Sequence, residues 1–344
     1  MVYQPPALLK NGLAMTLYVA LKAKDNWPQT ITELEPSYQF VILTGAQSVP
    51  IYALVAIPEN PKATIVATYG ITGDLGNQWF LQILARLAYQ RNYALILFDW
   101  RAHGKTADLS PTLTSDGIYE GLDYLHLAAE GKKLGCPAPF WFTGYSLGGQ
   151  LALWGIKESQ EVHDLNITPD EIGGGAVICP NLDSNRSLTY LLKDRWGKHL
   201  EKAIVKQLKE LGKRLHASHP DFIDPEAVKR ANTIRGFDHE LVIDRLGFSS
   251  VEEYYDASSP LPFLSHLSKP TLILYAADDP MFDPTIIPDL QRACRGNNSI
   301  DLQLTSYGGH VGYISAKSCQ RDYGDSSRWW AWHRVLDFFD RFSS

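Results

Sequence analysis

Residues 140–155 read FWFTGYSLGGQLALWG. An apolar, aromatic run halts at Gly144, a single serine follows, and an apolar helical pattern begins. Gly144-Tyr145-Ser146-Leu147-Gly148 fits G-x-S-x-G. A strand before and a helix after this pentapeptide hold the serine on a sharp turn with its hydroxyl exposed. The glycines at 144, 148 and 149 leave room where backbone segments close on that turn. A plain glycine-rich strand-to-helix turn would look similar, so the reading depends on partners for Ser146.

Serine is a weak nucleophile until a base takes its proton. Ten histidines are available. His310, in TSYGGHVGY, directly follows the last predicted strand, and the glycines beside it let a loop reach the serine. His199, His216, His219, His239 and His266 fall in a separate helical stretch, His126 and His333 on helices, and His103 and His163 in loops. These nine read as surface or capping residues. A base of this kind needs a carboxylate to fix its tautomer. LILYAADDPMFDP ends a buried strand with Asp278 and Asp279, and the chain order Ser146, Asp279, His310 is that of a serine triad on a parallel sheet. Asp278 points away from the histidine if the segment is still extended, and Asp283 is the other neighbouring acid. Two acids at a strand end also suit a helix cap. An oxyanion would face the Leu147 N–H at the start of the following helix. It would also face a second N–H from the loop YGITGD (69–74), which by position is that of Ile71.

One further loop, FDWRAHGKTAD (98–108), lies at a strand's carboxyl end. Asp99 and Arg101 read as a buried structural ion pair. His103 and Asp108 fit H-x4-D, a pattern cited for acyltransferases, which the turn itself explains more simply.

The elements that must position these groups alternate. YQFVIL (38–43) and IYALVAI (51–57) predict a hairpin, with TGAQSVP between them. Continuous apolar runs at 63–69, 93–100, 139–144, 174–180 and 271–277 predict buried strands, and IDLQLTSY (300–307) completes a set of eight. Residues 79–91 carry helical spacing. So do 115–134, with Ile118, Leu122, Leu125 and Ala129 on one face. The fold class is therefore α/β: a mostly parallel eight-stranded sheet with helices on both faces. Residues 181–266 break the rhythm and hold no strand. Leu200, Ile204, Leu208, Leu211 and Leu215 form an apolar stripe there, with Lys198, Lys202, Lys206, Lys209, Lys213 and Arg214 mostly off it. This predicts a core of 1–180 and 267–344 and a helical cap of 181–266, read as a lid over the serine. The other reading is a decoration on the sheet edge. Its basic face suits solvent, with a peripheral contact to anionic head groups as the alternative.

Composition bounds the function. Of 344 residues, 45% are apolar and 20% charged, and the formal net charge of −6 disfavours nucleic acid as a partner. Cys136, Cys179, Cys294 and Cys319 show no metal spacing and read as free thiols in a reducing, cytoplasmic compartment. The apolar segment NGLAMTLYVAL is too short to span a bilayer and lacks the marks of a signal peptide, so it reads as a packed segment. No other stretch reaches transmembrane length.

Taken together, NGLAMT, YGITGD, GYSLGG, GFSSVEEYYDASSPLPFL, KPTLILYAADDP and GGHVGYI run in order along nearly the whole chain. In these segments the sequence resembles the YheT-like α/β-hydrolases, a bacterial and plant group that includes embryogenesis-associated proteins. The resemblance implies a serine hydrolase acting on small ester or lipid-like substrates, with medium-chain esters or acylglycerols foremost. It carries the triad roles onto Ser146, Asp279 and His310 and implies no metal or organic cofactor. One departure stands out: the family often has His-Gly in the oxyanion loop, where this chain has Tyr69-Gly70, which puts the shape of the acyl pocket in question. The same acyl-enzyme passed to an amine, thiol or alcohol would make a peptidase, thioesterase or acyltransferase. Loss of catalysis would leave a binding protein on the same fold. Product analysis with competing acceptors separates the first group, and a serine-directed fluorophosphonate separates the second.

Overall fold

In the computed structural model, which describes residues 2–162 and 164–343, each of the eight segments read above as a strand is one, and the apolar segment near the start is helical. His163 lies outside the described residues. The strands are β1 (Gln39–Thr44), β2 (Pro50–Ala56), β3 (Ala63–Thr68), β4 (Tyr93–Phe98), β5 (Phe140–Tyr145), β6 (Ile172–Ile178), β7 (Thr271–Ala276) and β8 (Ile300–Thr305). They form one sheet in the order β1-β2-β4-β3-β5-β6-β7-β8. β1 and β2 run antiparallel at one edge, and β4 through β8 are parallel. β3, β4, β5 and β7 are buried at every residue, which is why their sequences are apolar without alternation.

The helices that matter to the site are, in chain order, α1 (Gly12–Tyr18), α2 (Trp79–Gln90), α3 (Glu120–Lys133), α4 (Leu147–Glu158), α5 (Ser184–Leu191), α6 (Arg195–Ser218), α7 (Pro225–Arg230), α8 (Ile234–Phe237), α9 (Val251–Ser258), α10 (Ile286–Cys294) and α11 (Trp330–Asp340). Adjacent residues of β5 show how the two faces are covered. Trp141 stacks on Phe339 of α11 at 4.8 Å, and Phe142 meets Tyr124 of α3 at 5.0 Å. Successive strand side chains point to opposite faces, so α11 and α3 lie on opposite sides of the sheet. The helix expected from residue 115 starts only at Glu120. Asp116 and Gly117 run at φ of 49° and 120°, outside the helical region, which leaves Ile118 in a turn.

Between β6 and β7 the chain is helical. Its helices α5 to α9 start on side-chain caps: Asp183 accepts from the Arg186 N–H, Asp194 from Gly197, Asp224 from Glu226, Thr233 from Gly236 and Ser250 from Glu253. The stripe on α6 buries Ile204, Leu208 and Leu215, while Lys198, Lys202, Lys206 and Lys213 stay exposed. Polar contacts tie this insertion to the sheet domain. Arg214 Nε meets Asp108 at 2.8 Å, His219 Nε2 lies 3.0 Å from the Ala107 carbonyl, and Trp154 Nε1 donates to the Ser258 carbonyl at 2.7 Å. The four cysteines carry free thiols. Among the described residues no helix is long and apolar enough to cross a membrane.

The loops after β3, β5, β7 and β8 and the entry to the insertion after β6 all leave the carboxyl edge of the parallel sheet. That edge is where open α/β sheets build their sites.

Candidate active site

Ser146 occupies the turn between β5 and α4 with φ 55° and ψ −126°, a strained conformation for a residue with a side chain. Its N–H is held by the Ile178 carbonyl at 3.0 Å. The turn tolerates no bulk: a Cβ on Gly144 would lie 2.3 Å from the Gly148 carbonyl oxygen, and one on Gly148 would lie 2.3 Å from that of Tyr69. Leu147 is the first residue of α4, where an N–H has no intrahelical acceptor. Ile71 follows Gly70, whose Cα faces the serine so closely that a Cβ there would sit 3.1 Å from Ser146 Cβ. Among the described residues the Ile71 N–H meets no acceptor.

The three sequence-predicted polar groups converge. His310 Nε2 lies 2.8 Å from Ser146 Oγ, and its Nδ1 lies 2.8 Å from Asp279 Oδ2. With Nδ1–H donating to the carboxylate, Nε2 is left as the acceptor for the serine hydroxyl. Asp279 Oδ1 accepts the Met281 N–H at 2.8 Å, which fixes the carboxylate's rotation. The neighbouring acids do other work. Asp283 caps Thr285, and Asp278 Oδ1 accepts the Gly309 N–H at 2.9 Å, one residue before the histidine. Burial raises the Asp278 carboxyl above its ordinary range.

Two supports escaped the reading of the sequence. The first is α1. Thr16 Oγ accepts the His310 N–H at 2.8 Å and itself donates to the Gly12 carbonyl at 2.8 Å. Gly12 packs so tightly that a Cβ would lie 1.6 Å from the Asp278 carbonyl oxygen. NGLAMT is thus a brace behind the histidine loop, and no local pattern signals a contact across 294 positions. The second is His103, read above as a surface or capping residue. It is buried, its ring stacks on Trp100 at 3.5 Å, and its Nε2 accepts the Thr72 N–H at 3.2 Å. Burial lowers its pKa to about 4, so the ring is neutral at pH 7 and Nδ1–H donates to the Arg101 carbonyl. The adjacency of β3 and β4 brings it beside the Ile71 loop. Asp108 is not its partner, since that carboxylate binds Arg214 of α6. His333 is buried as well, hydrogen-bonded to Ser327 at 2.9 Å.

The expected Asp99–Arg101 pair does not form. Arg101 makes a two-pronged ion pair with Asp123 of α3 at 2.7 and 2.9 Å. Asp99 instead accepts the Tyr69 hydroxyl at 2.6 Å and the N–H groups of Leu75 and Lys105, each at 2.8 Å. Residues two apart share a face only while the chain is extended, and here β4 has ended at Phe98 and the backbone turns at Arg101 and Ala102, so the two side chains part. Tyr69, the departure noted in the oxyanion loop, is buried against Trp100 and His103, outside the cavity wall.

Ser146 opens into an apolar cavity. Ile71, Leu147 and Phe282 form its floor, and Leu188, Ile204 and Leu208 of the insertion its roof. A more polar groove, lined by Thr72, Asp74, Gln78, Gln207 and Arg214, meets the cavity at Ile71.

The sheet order and the elbow define a class before any comparison is made, and the comparisons agree with it. The sequence profile of the alpha/beta hydrolase fold matches residues 63–317. The slr0264 protein of Synechocystis sp., provisionally designated an esterase, is 53% identical over 348 residues, covering 98% of this chain and 94% of the relative. YheT of Escherichia coli, of like designation, is 27% identical over 76% of this chain and 74% of its own length. The human phospholipase ABHD3 is 26% identical over 74% of this chain and 59% of its own. Among solved structures, the Pyrococcus furiosus esterase Pf2001 superposes with a TM-score of 0.57 at 15% identity, covering 99% of this chain and 100% of that one, which speaks for the fold. The chain belongs to the α/β-hydrolase family. Within that family it falls in the YheT-like esterase group.

Proposed function

We propose that the protein is a serine carboxylic ester hydrolase for medium-chain acyl esters or acylglycerols, working through an acyl-enzyme on Ser146, His310 and Asp279. The observation that carries this reading is the relay of two 2.8 Å contacts ending at a serine that faces an apolar cavity. Ser146 Oγ attacks the ester carbonyl as His310 Nε2 takes its proton. Asp279 holds Nδ1–H and stabilises the imidazolium. The tetrahedral oxyanion lies against the Leu147 and Ile71 N–H groups. His310 then passes its proton to the departing alcohol, which leaves through the polar groove. Water adds by the same route, its proton going to His310 and then back to Ser146 as the acid departs. Residues 181–266 act as the cap, their apolar side chains covering the acyl chain and excluding water. The four free thiols support a cytoplasmic setting.

A fluorophosphonate probe tests the reading. It should label wild type on Ser146, and labelling confined to another residue would overturn the assignment. The cap makes its own prediction. Leu188 is half-buried on the cavity side of α5. Leu188→Trp should fill the acyl space and lower kcat/KM for an octanoyl ester about tenfold, with an acetate ester changed less than about twofold. Equal effects on both esters would remove the insertion from chain-length selection.

The brace behind His310 is testable by a split of kinetic constants. Thr16→Val keeps side-chain shape but removes the acceptor for the His310 N–H. The expected result is a kcat about tenfold lower with KM within about twofold, and near-full recovery in Thr16→Ser. A Thr16→Val enzyme that loses thermal stability yet keeps wild-type kcat would reduce α1 to a packing role.

A further inference from the structure

We propose that Asp116 and Asp238 form a polar subsite in the acyl cavity, selecting ester substrates whose acyl chain carries a hydroxyl group. This rests on the serine-esterase reading and names its substrate more closely.

The cavity that begins at Ser146 is apolar over most of its wall, yet both aspartates are among the residues that line it. They arrive from separate parts of the fold. Asp116 sits in the core turn before α3 and Asp238 in the insertion just after α8, and each is only 8% exposed. Among the described residues neither forms an ion pair. Arg235, the cation whose charge Asp238 feels, is committed to Asn185 and Glu252 at 3.0 and 2.9 Å. Asp238 accepts the Tyr255 hydroxyl, and Asp116 has the Thr114 hydroxyl at 3.3 Å. Two buried acids facing an apolar space with no basic partner are costly to keep there.

A second observation points to a missing partner. Ser184, Ser187, Leu188 and Leu191 follow i, i+3, i+4, i+7 spacing, share one face of α5 and line the same cavity. Ser187 is 4% exposed, and among the described residues its buried hydroxyl has no hydrogen-bond partner. Buried polar groups in folded proteins are almost always satisfied. A ligand group that both donates and accepts would satisfy this wall.

The chemistry of the pair narrows the group to a hydroxyl. Burial raises both carboxyls, and the Asp238 charge raises Asp116 further; Asp238 is pushed up to about 7. A carboxyl that keeps its proton both donates and accepts, so raising this pair favours a wall that offers a donor as well as acceptors. A hydroxyl complements both. An ammonium offers donors only, and a methylene offers neither, leaving the buried polar atoms unpaired. That asymmetry gives such sites their discrimination.

The test is a set of p-nitrophenyl esters of one chain length, with a hydroxyl moved along the acyl chain beside the unsubstituted parent. In wild type, kcat/KM should exceed the parent's about tenfold or more at one or two positions. The ratio of hydroxylated to parent ester, taken within each enzyme so that folded fraction cancels, should fall below about threefold in Asp116→Asn and Asp238→Asn. Asparagine tolerates the positive φ of position 116. No favoured position in wild type, or a ratio kept in both variants, would overturn the proposal. The methyl esters are also titrated calorimetrically into Ser146→Ala, where binding is read without turnover. Binding about tenfold tighter for the hydroxylated ester supports the subsite, and equal binding overturns it. If wild type shows no Ser146-dependent ester turnover, the esterase reading fails, and this titration still decides whether the subsite exists.

Discussion

Ser146→Ala is expected to lower kcat for ester hydrolysis by about 10⁴-fold or more while the protein stays folded. The hydroxyl's structural contact is with His310 Nε2, and the turn around it is held by backbone bonds to Ile178 and Asn181 that alanine keeps. The φ of 55° is equally strained for serine and alanine, so removing the oxygen changes chemistry and leaves local conformation alone. Circular dichroism and the melting midpoint should match wild type, and stopped assays with purified enzyme give the turnover. A folded Ser146→Ala enzyme with near wild-type kcat would end the nucleophile assignment.

Asp279→Asn is expected to cost a similar factor, about 10⁴-fold in kcat, with little change in shape. The carboxylate accepts the Nδ1–H of His310 on one oxygen and the Met281 N–H on the other. An asparagine keeps the Met281 contact with its carbonyl, which turns its amide N–H₂ toward Nδ1. That donor forces the imidazole proton onto Nε2, where it faces Ser146 and blocks proton removal. Asp278→Asn is the control. Its Oδ1 accepts from Gly309, so an asparagine carbonyl can replace it, and the loss should stay under about a hundredfold. Should Asp278→Asn fall as far, or Asp279→Asn keep more than about a tenth of kcat, the acid has been misidentified.

Much of this arrangement was legible in the residues. Strands of a parallel sheet covered on both faces are continuous apolar runs, so β3 to β7 announce themselves within a few residues of their ends. The elbow is equally local, because glycines at 144 and 148 answer a close approach that occurs inside one turn. His310 and Asp279 were legible by order: each lies in the loop after a strand, β8 ending at Thr305 and β7 at Ala276, and every parallel strand delivers its following loop to the same edge of the sheet. The apolar stripe of α6 follows from its own 3.6-residue period.

Side-chain partners were decided elsewhere. Arg101 takes Asp123, Asp99 takes Tyr69, and His103 reaches Thr72. In each case the partner lies on an element made adjacent by the sheet order, which no short-range pattern encodes. Thr16 meets the His310 backbone because α1 folds back over the loops after β7 and β8. Asp116 and Asp238 share a cavity only because the insertion closes on the core. The sequence by itself therefore determined the elements, their layering and which residues were candidates for the site, since these depend on propensity and periodicity over a few residues. Tertiary structure alone decided which polar groups lie around them. A buried donor or acceptor must find its complement among whatever the packed elements bring within about 3 Å, and that neighbourhood exists only in the folded chain.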